Sequence, residues 1–171
     1  MNAVPRIVVG VDGSPASVAA LRWALTEAER MGGEVEAVTA WHSDPPPVSG
    51  PTLVGLPYRD AELVKSEQQE RLTSAVAQAA GTAPGVVLRQ KLVAGWPPRE
   101  LVRCARGATL LVVGRQGHSW LGEKVLGTVS AYCIRHAECP VVVMPIEGTV
   151  APDDENKTTA QEMLAPSGTP Q

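Results

Sequence analysis

The strongest constraint on the fold of this 171-residue chain is a pattern of five short apolar runs, separated by longer segments with helical periodicity. The first run, Ile-Val-Val-Gly-Val at residues 7–11, is continuous and rich in β-branched residues, which is typical of a strand buried on both faces. Strands that alternate with helices predict an α/β fold, a doubly wound parallel sheet with right-handed crossovers. The five predicted strands are residues 7–11, 35–41, 86–93, 109–113 and 141–144.

The segments between these strands carry helix signals. Ser14 followed by Pro15 indicates an N-cap with proline at the first helical position, and Gly32 with Gly33 predicts where that helix ends. We therefore expect helices on both faces of the sheet. The other helices are predicted over residues 58–80, over residues 97–106 and after Gly127.

Two segments do not fit this alternation. Residues 42–57 hold five prolines, and a loop this long inside a compact domain is typically a functional lid or a disordered excursion. Residues 147–171 carry five acidic residues against one lysine and have no periodic apolar pattern. We therefore expect a single domain over residues 1–146 and a disordered acidic tail over residues 147–171.

Charge and composition exclude several classes of partner. The net charge of −3 argues against binding to a nucleic-acid backbone, which normally requires a basic face. No apolar run approaches the roughly 20 residues that span a bilayer, and the N-terminus shows no charged-then-apolar signal segment. The cysteines, Cys104, Cys133 and Cys139, are odd in number and lack Cys-x-x-Cys spacing. We expect free thiols in a reducing cytoplasm, with neither nucleic acid nor membrane as a partner.

A glycine pattern follows the fourth predicted strand. The chain reads Gly114-x-x-Gly117, then nine residues, then Gly127-Thr128. A strand that ends in a glycine turn and leads to a helix start exposes backbone N–H groups and the positive end of the helix dipole. Because glycine lets the backbone approach a bulky anion, this order of features predicts a site for a di- or triphosphate.

Asp12 follows the first predicted strand and is a second candidate site residue. In open parallel sheets, ligands bind beyond the carboxyl ends of the strands, where the strand order reverses. A carboxylate at that position can accept hydrogen bonds from a ribose hydroxyl pair. It can also cap the helix beside Ser14, and the sequence leaves both roles open.

These motifs resemble the nucleotide-binding signature of the universal stress protein family, which is Gly, two residues, Gly, nine residues, Gly and Ser or Thr. Residues 7–14, 110–118 and 139–145 are similar to that family as well, so the resemblance covers roughly residues 5–145 in a single copy. It implies a Rossmann-like sheet of strand order 3-2-1-4-5. A ligand crevice would then lie between strands one and four.

The resemblance also implies how a nucleotide is held. Asp12 would lie against adenine and ribose, the backbone near Ala40 would contact the adenine edge, and N–H groups and hydroxyls after Gly127 would bind the phosphates. The implied ligand is ATP, with or without Mg²⁺. The implied binding residues are Gly10, Val11, Asp12, Ala40, Val113, Gly114, Gly117, Gly127, Thr128, Val129 and Ser130.

The function that this resemblance implies is an ATP-binding regulatory or stress-resistance protein, acting as a homodimer paired through its last strand, Val141–Met144. One alternative is a slow ATPase or phosphate-transfer protein. Gly122 and Gly127 have the spacing of a P-loop, but its lysine is missing, so fast phosphoryl transfer is not supported. The other alternative, a nucleotide-free dimeric scaffold, is disfavoured by the intact glycine signature. We predict no catalytic residue and no protein metal site.

Overall fold

The computed structural model describes residues 4–42, 60–115 and 126–145. Strands and helices alternate along this part of the chain, as the sequence predicts. Gly117, residues 43–57 of the proline-rich segment and the tail of residues 147–171 lie outside the described residues. In chain order the elements are β1 (Arg6–Gly10), α1 (Pro15–Met31), β2 (Glu34–Trp41), α2 (Ala61–Ala79), β3 (Val87–Ala94), α3 (Pro97–Cys104), β4 (Leu110–Gly114), α4 (Thr128–His136) and β5 (Val141–Met144).

The five strands form one sheet in the order β3-β2-β1-β4-β5, and every neighbouring pair is parallel. This confirms the doubly wound, Rossmann-like sheet and its order. The strand bounds differ from the predicted ones by a residue at several ends. Val11, for example, lies just beyond β1, although its N–H still donates to the carbonyl of Val38 at 2.9 Å.

The first helix begins and ends as predicted. Ser14 is the N-cap of α1, and its hydroxyl accepts a hydrogen bond from the Ser17 N–H at 3.2 Å. Pro15 occupies the first helical position, where a missing N–H costs nothing. Gly32 ends the helix with a φ of 64°, a left-handed conformation that glycine adopts without steric cost.

Each face of the sheet packs against its own pair of helices. Because side chains alternate along a strand, Ile7 and Val9 of β1 join the cluster under α1 and α2, whereas Val8 joins the cluster under α3 and α4. β1 and β4 are buried on both faces, which explains their continuous apolar sequences. These two central strands therefore form a rigid base for the residues that follow them.

A row of charged side chains links three strands on the α3 side of the sheet. Glu36 of β2 lies between Arg6 of β1, 2.9 Å away, and Lys91 of β3, 2.8 Å away. Burial alone would raise the pKa of the Glu36 carboxyl, but Lys91 and Arg6 outweigh it and lower that pKa below its ordinary value. Arg89 of β3 pairs with Glu34 in the same way, at 3.0 Å. The β3 edge is thus charged, as is usual for an exposed sheet edge.

Candidate functional site

The carboxyl ends of β1, β2 and β4 meet at one edge of the sheet, because these strands are parallel neighbours. The Thr39 hydroxyl of β2 donates to the carbonyl of Val11, just after β1, at 2.7 Å. A Cβ placed on Gly10 would lie 3.4 Å from the side chain of Val113 in β4. The chain leaves β1 and β4 on opposite faces of the sheet here, so this is the point where the strand order reverses.

Asp12 lies in a tight turn between β1 and α1. Its Oδ1 accepts a hydrogen bond from the Ser14 N–H at 2.9 Å, which is the local capping role considered from the sequence. Gly13 follows with a φ of 81°, a conformation that favours glycine. A carboxylate has about four acceptor positions on its two oxygens, so this bond is compatible with additional hydrogen bonds to a ligand.

Two glycines at this edge are explained by close packing within the protein. A Cβ on Gly10 would lie 2.9 Å from Cδ1 of Leu101 in α3, and a Cβ on Gly114 would lie 3.1 Å from the Cβ of Ala16 in α1. At these distances the neighbouring atoms would have to shift. Gly10 and Gly114 therefore let the helices approach the strand ends, whatever ligand the edge receives.

The start of α4 is the most anion-compatible feature of this edge. Gly127 is the N-cap, no side chain of the described residues caps the helix, and the first turn contains no acidic residue. The first N–H groups of a helix have no carbonyl of their own helix to bond, and they carry the positive end of the dipole. Thr128 is exposed and Val129 is half-buried, so ligand atoms can approach this turn.

Two of the predicted phosphate-binding groups bond to the protein itself. The Gly127 N–H donates to the carbonyl of Arg115 at 2.9 Å. The Ser130 side chain is 2% exposed, and its hydroxyl donates to the carbonyl of Gly114 at 2.6 Å. These bonds hold the start of α4 against the end of β4. The N–H groups of Thr128, Val129 and Ser130, in the first turn of α4, are the candidates for binding an anion.

Ala40 is half-buried at the carboxyl end of β2, beside the candidate site. The next residue, Trp41, accepts the Gly95 N–H at 2.8 Å, which brings the β3–α3 connection close to the β2 end. Trp96 of that connection is 49% exposed and contacts Tyr132 of α4, with ring centroids 4.9 Å apart. The sequence did not predict this pair, because its members lie on separate elements.

The three cysteines lie on the α3/α4 side of the sheet. Cys104 and Cys133 are buried, Cys139 is half-buried, and burial raises the pKa of each thiol, that of Cys133 to about 11. Among residues 4–42, 60–115 and 126–145, no group of three His, Cys, Asp or Glu residues could hold a metal ion. None of the helices in the same three ranges is long and apolar enough to cross a bilayer.

Comparison with known proteins gives consistent matches over almost the whole described region. A model of the universal stress protein family matches residues 4–145. A universal stress protein of Mycobacterium tuberculosis is 36% identical over 137 residues, covering 80% of this chain and 44% of that protein. A universal stress protein of Methanocaldococcus jannaschii is 32% identical over 150 residues, covering 84% and 83% respectively. The chain thus spans less than half the length of the first relatives it matches.

A solved structure shares the fold at moderate identity. The crystal structure of a universal stress protein in complex with cAMP aligns with a TM-score of 0.53 and 26% identity. The alignment covers 85% of this chain and 99% of that chain. That protein therefore has the same architecture over nearly its full length.

Proposed function

The chain belongs to the universal stress protein family, and on that premise we propose that it binds an adenine nucleotide, ATP with or without Mg²⁺, at the carboxyl edge of β1, β2 and β4. The observation that carries this proposal is the start of α4, which no side chain of the described residues caps and which the Ser130 hydroxyl holds beside the end of β4. The cAMP complex of a related protein supports an adenine nucleotide as the ligand.

In this proposal different residues of the site bind the ribose, the adenine and the phosphates. The Asp12 carboxylate accepts hydrogen bonds from the ribose hydroxyls, and the backbone at Ala40 contacts the adenine edge. The N–H groups of Thr128, Val129 and Ser130 donate to phosphate oxygens. Each charge-assisted hydrogen bond of this kind contributes roughly 1.5–3 kcal/mol. Gly10, Val11, Val113 and Gly114 line the crevice between β1 and β4, and Gly117, outside the described residues, belongs to the loop over the phosphates.

Arg115 links the first turn of α4 to the edge strand β5. The Arg115 N–H donates to the carbonyl of Met144 at 2.8 Å, and the Arg115 carbonyl accepts the Gly127 N–H at 2.9 Å. Any shift of the α4 start toward a phosphate therefore acts on the backbone that holds the end of β5. This link supports a protein whose homodimer, paired through Val141–Met144, responds to nucleotide.

We also propose that the protein acts in the reducing cytoplasm, as a regulatory or stress-resistance protein without a nucleic-acid or membrane partner. The three thiols support that compartment, because Cys104, Cys133 and Cys139 are all free and form no disulfide. The net charge of −3 supports the lack of a nucleic-acid partner.

The site is tested by replacing Gly127 with valine. Gly127 has φ −62° and ψ 154°, which any residue adopts, so the variant should fold. Its branched side chain should keep phosphates out of reach of the first-turn N–H groups. Losing at least one such bond should weaken ATP about tenfold or more, because about 1.4 kcal/mol is a factor of ten. Adenosine, which has no phosphate, should bind as before.

Isothermal titration calorimetry with both ligands provides the measurement. Gly81→Val is the matched control, since a Cβ on Gly81 meets nothing within 4 Å and this turn lies outside the site. That variant should bind both ligands like the wild type. Wild-type protein that binds no adenine nucleotide at millimolar concentration would contradict the proposed function. So would a Gly127→Val protein that loses ATP and adenosine equally.

A further inference from the structure

The peptide group between Val11 and Asp12 is held at both of its polar ends by buried hydroxyls. Its carbonyl, that of Val11, accepts the Thr39 hydroxyl at 2.7 Å. Its N–H, that of Asp12, donates to the Ser17 hydroxyl oxygen at 3.4 Å. One hydroxyl comes from β2 and the other from α1, so two different elements fix the plane of this one peptide.

The Ser17 hydroxyl is itself fixed by a further bond, and both hydroxyls are buried. Ser17 donates its hydroxyl to the Ser14 carbonyl at 2.9 Å, and its N–H donates to the Ser14 hydroxyl at 3.2 Å. Thr39 and Ser17 are each 3% exposed, so water does not compete for these bonds. Burying a hydroxyl costs free energy unless it is hydrogen-bonded, which keeps each group in its observed orientation.

This peptide fixes the position of the Asp12 Cα, from which the side chain extends. The orientation of the carboxylate is fixed separately by Oδ1, which accepts the Ser14 N–H at 2.9 Å. The carboxylate is therefore anchored at its backbone and at one oxygen before any ligand arrives. Such preorganisation matters for a ribose, whose two hydroxyls must both meet acceptors at good distance and angle.

We propose that Thr39 and Ser17 are positioning residues that aim the Asp12 carboxylate at the ribose diol and so make the site selective for ribonucleotides over 2′-deoxyribonucleotides. This inference rests on the proposed nucleotide site and adds a specificity to it. A 2′-deoxy ligand lacks one of the two hydroxyls, so it loses a hydrogen bond to a charged acceptor. If the Asp12 carboxylate were held less firmly, its hydrogen bond to the second hydroxyl would be weaker. The preference for ribonucleotides over 2′-deoxyribonucleotides would then decrease.

The test compares ATP and 2′-deoxy-ATP on four forms of the full chain by calorimetry. The wild type should prefer ATP by about tenfold, the effect of one such bond. Thr39→Val removes the hydroxyl at nearly constant shape and should reduce the preference to about threefold or less. Thr39→Ser restores the hydroxyl and should restore the preference. Thr26→Val, at an exposed threonine of α1, is the matched control and should leave it unchanged.

The ratio of the two affinities separates positioning from general stability. If Thr39 only supports the fold, Thr39→Val should weaken both ligands by the same factor, and that result would overturn the inference. Ser17→Ala provides the same readout from the other end of the peptide if Thr39→Val does not fold. A wild type that binds both ligands equally well also overturns it, while leaving the proposed function intact. Binding of neither ligand overturns the proposed function itself.

Discussion

Glycines at the candidate site serve different physical purposes. Gly10 and Gly114 make room for Leu101 and Ala16, and Gly13 supplies a positive φ. Gly127 has a negative φ, and its φ and ψ suit any residue. Among these residues, Gly127 is therefore the position at which a substitution tests ligand binding with the least effect on the fold.

Asp12 should contribute to binding through the ribose alone. We predict that Asp12→Ala weakens ATP and adenosine by the same factor, because both ligands carry the same ribose. The variant also loses the bond to the Ser14 N–H, so its melting temperature should fall, and binding should be measured well below that temperature. Calorimetry with both ligands provides the comparison. A variant that loses ATP but retains adenosine would instead place Asp12 near the phosphates.

Cys133 should make the free energy of unfolding depend on pH in alkaline solution. Burial raises the pKa of its thiol from 9.0 to about 11. Between these values the unfolded chain releases a proton that the folded chain retains, so the stability present below pH 9 is lost as the pH rises. Across this range the loss should approach about 2–3 kcal/mol.

Urea unfolding of wild type and Cys133→Ala, under reducing conditions across that pH range, measures this effect. The alanine variant should be less stable at every pH, because it leaves a small cavity. Its stability should nevertheless fall less steeply above about pH 9. Equal slopes for the two proteins would show that the thiol ionises alike in the folded and unfolded states.

At the scale of elements, β5 differs from the other edge of the sheet. Its four residues are all partly exposed, and it pairs with β4 on one side within the described residues. β3 at the opposite edge carries Arg89 and Lys91, whose charges oppose pairing with another strand. The apolar β5 edge is therefore the better surface for pairing with a second copy.

Proline substitutions can test the two hydrogen-bonding sides of β5 independently. The carbonyls of Pro140 and Met144 accept bonds from β4, so by alternation Val142 also faces β4, whereas Val141 and Val143 turn their peptide groups outward. We predict that Val143→Pro abolishes the dimer with a modest loss of stability, because the N–H it removes points away from the sheet. Val142→Pro should instead destabilise the monomer, because it removes a bond to β4.

Sedimentation and thermal melting of both variants provide the measurements. A wild type that is monomeric at micromolar concentration would rule out pairing through β5. A dimer that persists in a folded Val143→Pro protein would move the interface to another surface.

For the whole molecule, stability arises from two apolar cores on a shared sheet. The core under α1 and α2 and the core under α3 and α4 lie on opposite faces of the sheet. The charged row of Arg6, Glu36 and Lys91 connects the three strands toward the β3 edge.

The C-terminal segment should add little to this assembly. We predict that deleting residues 148–171 leaves the melting temperature and the affinity for ATP nearly unchanged, because this acidic sequence has no periodic apolar pattern. Calorimetry and thermal melting of the shortened chain test this. A fall of several degrees in melting temperature would mean that the segment packs on the domain.

Local features of the sequence were sufficient to predict the helices and strands and the class of fold. Continuous β-branched runs, Ser14 with Pro15, and Gly32 each act within a few residues, so they can be read in order along the chain. The alternation of strands and helices then leaves a parallel, doubly wound sheet as the expected arrangement. The strand order came from the family resemblance, and the structure confirmed it.

Only the tertiary structure showed how the candidate site is held together. Thr39 bonds to Val11, Ser130 bonds to Gly114, and Leu101 packs on Gly10, and each pair joins residues from different elements. Side-chain types along the chain do not reveal such partners, because the partner depends on how strands and helices pack. The sequence thus supplied the candidate residues of the crevice, whereas packing decided which hydroxyls form bonds within the protein.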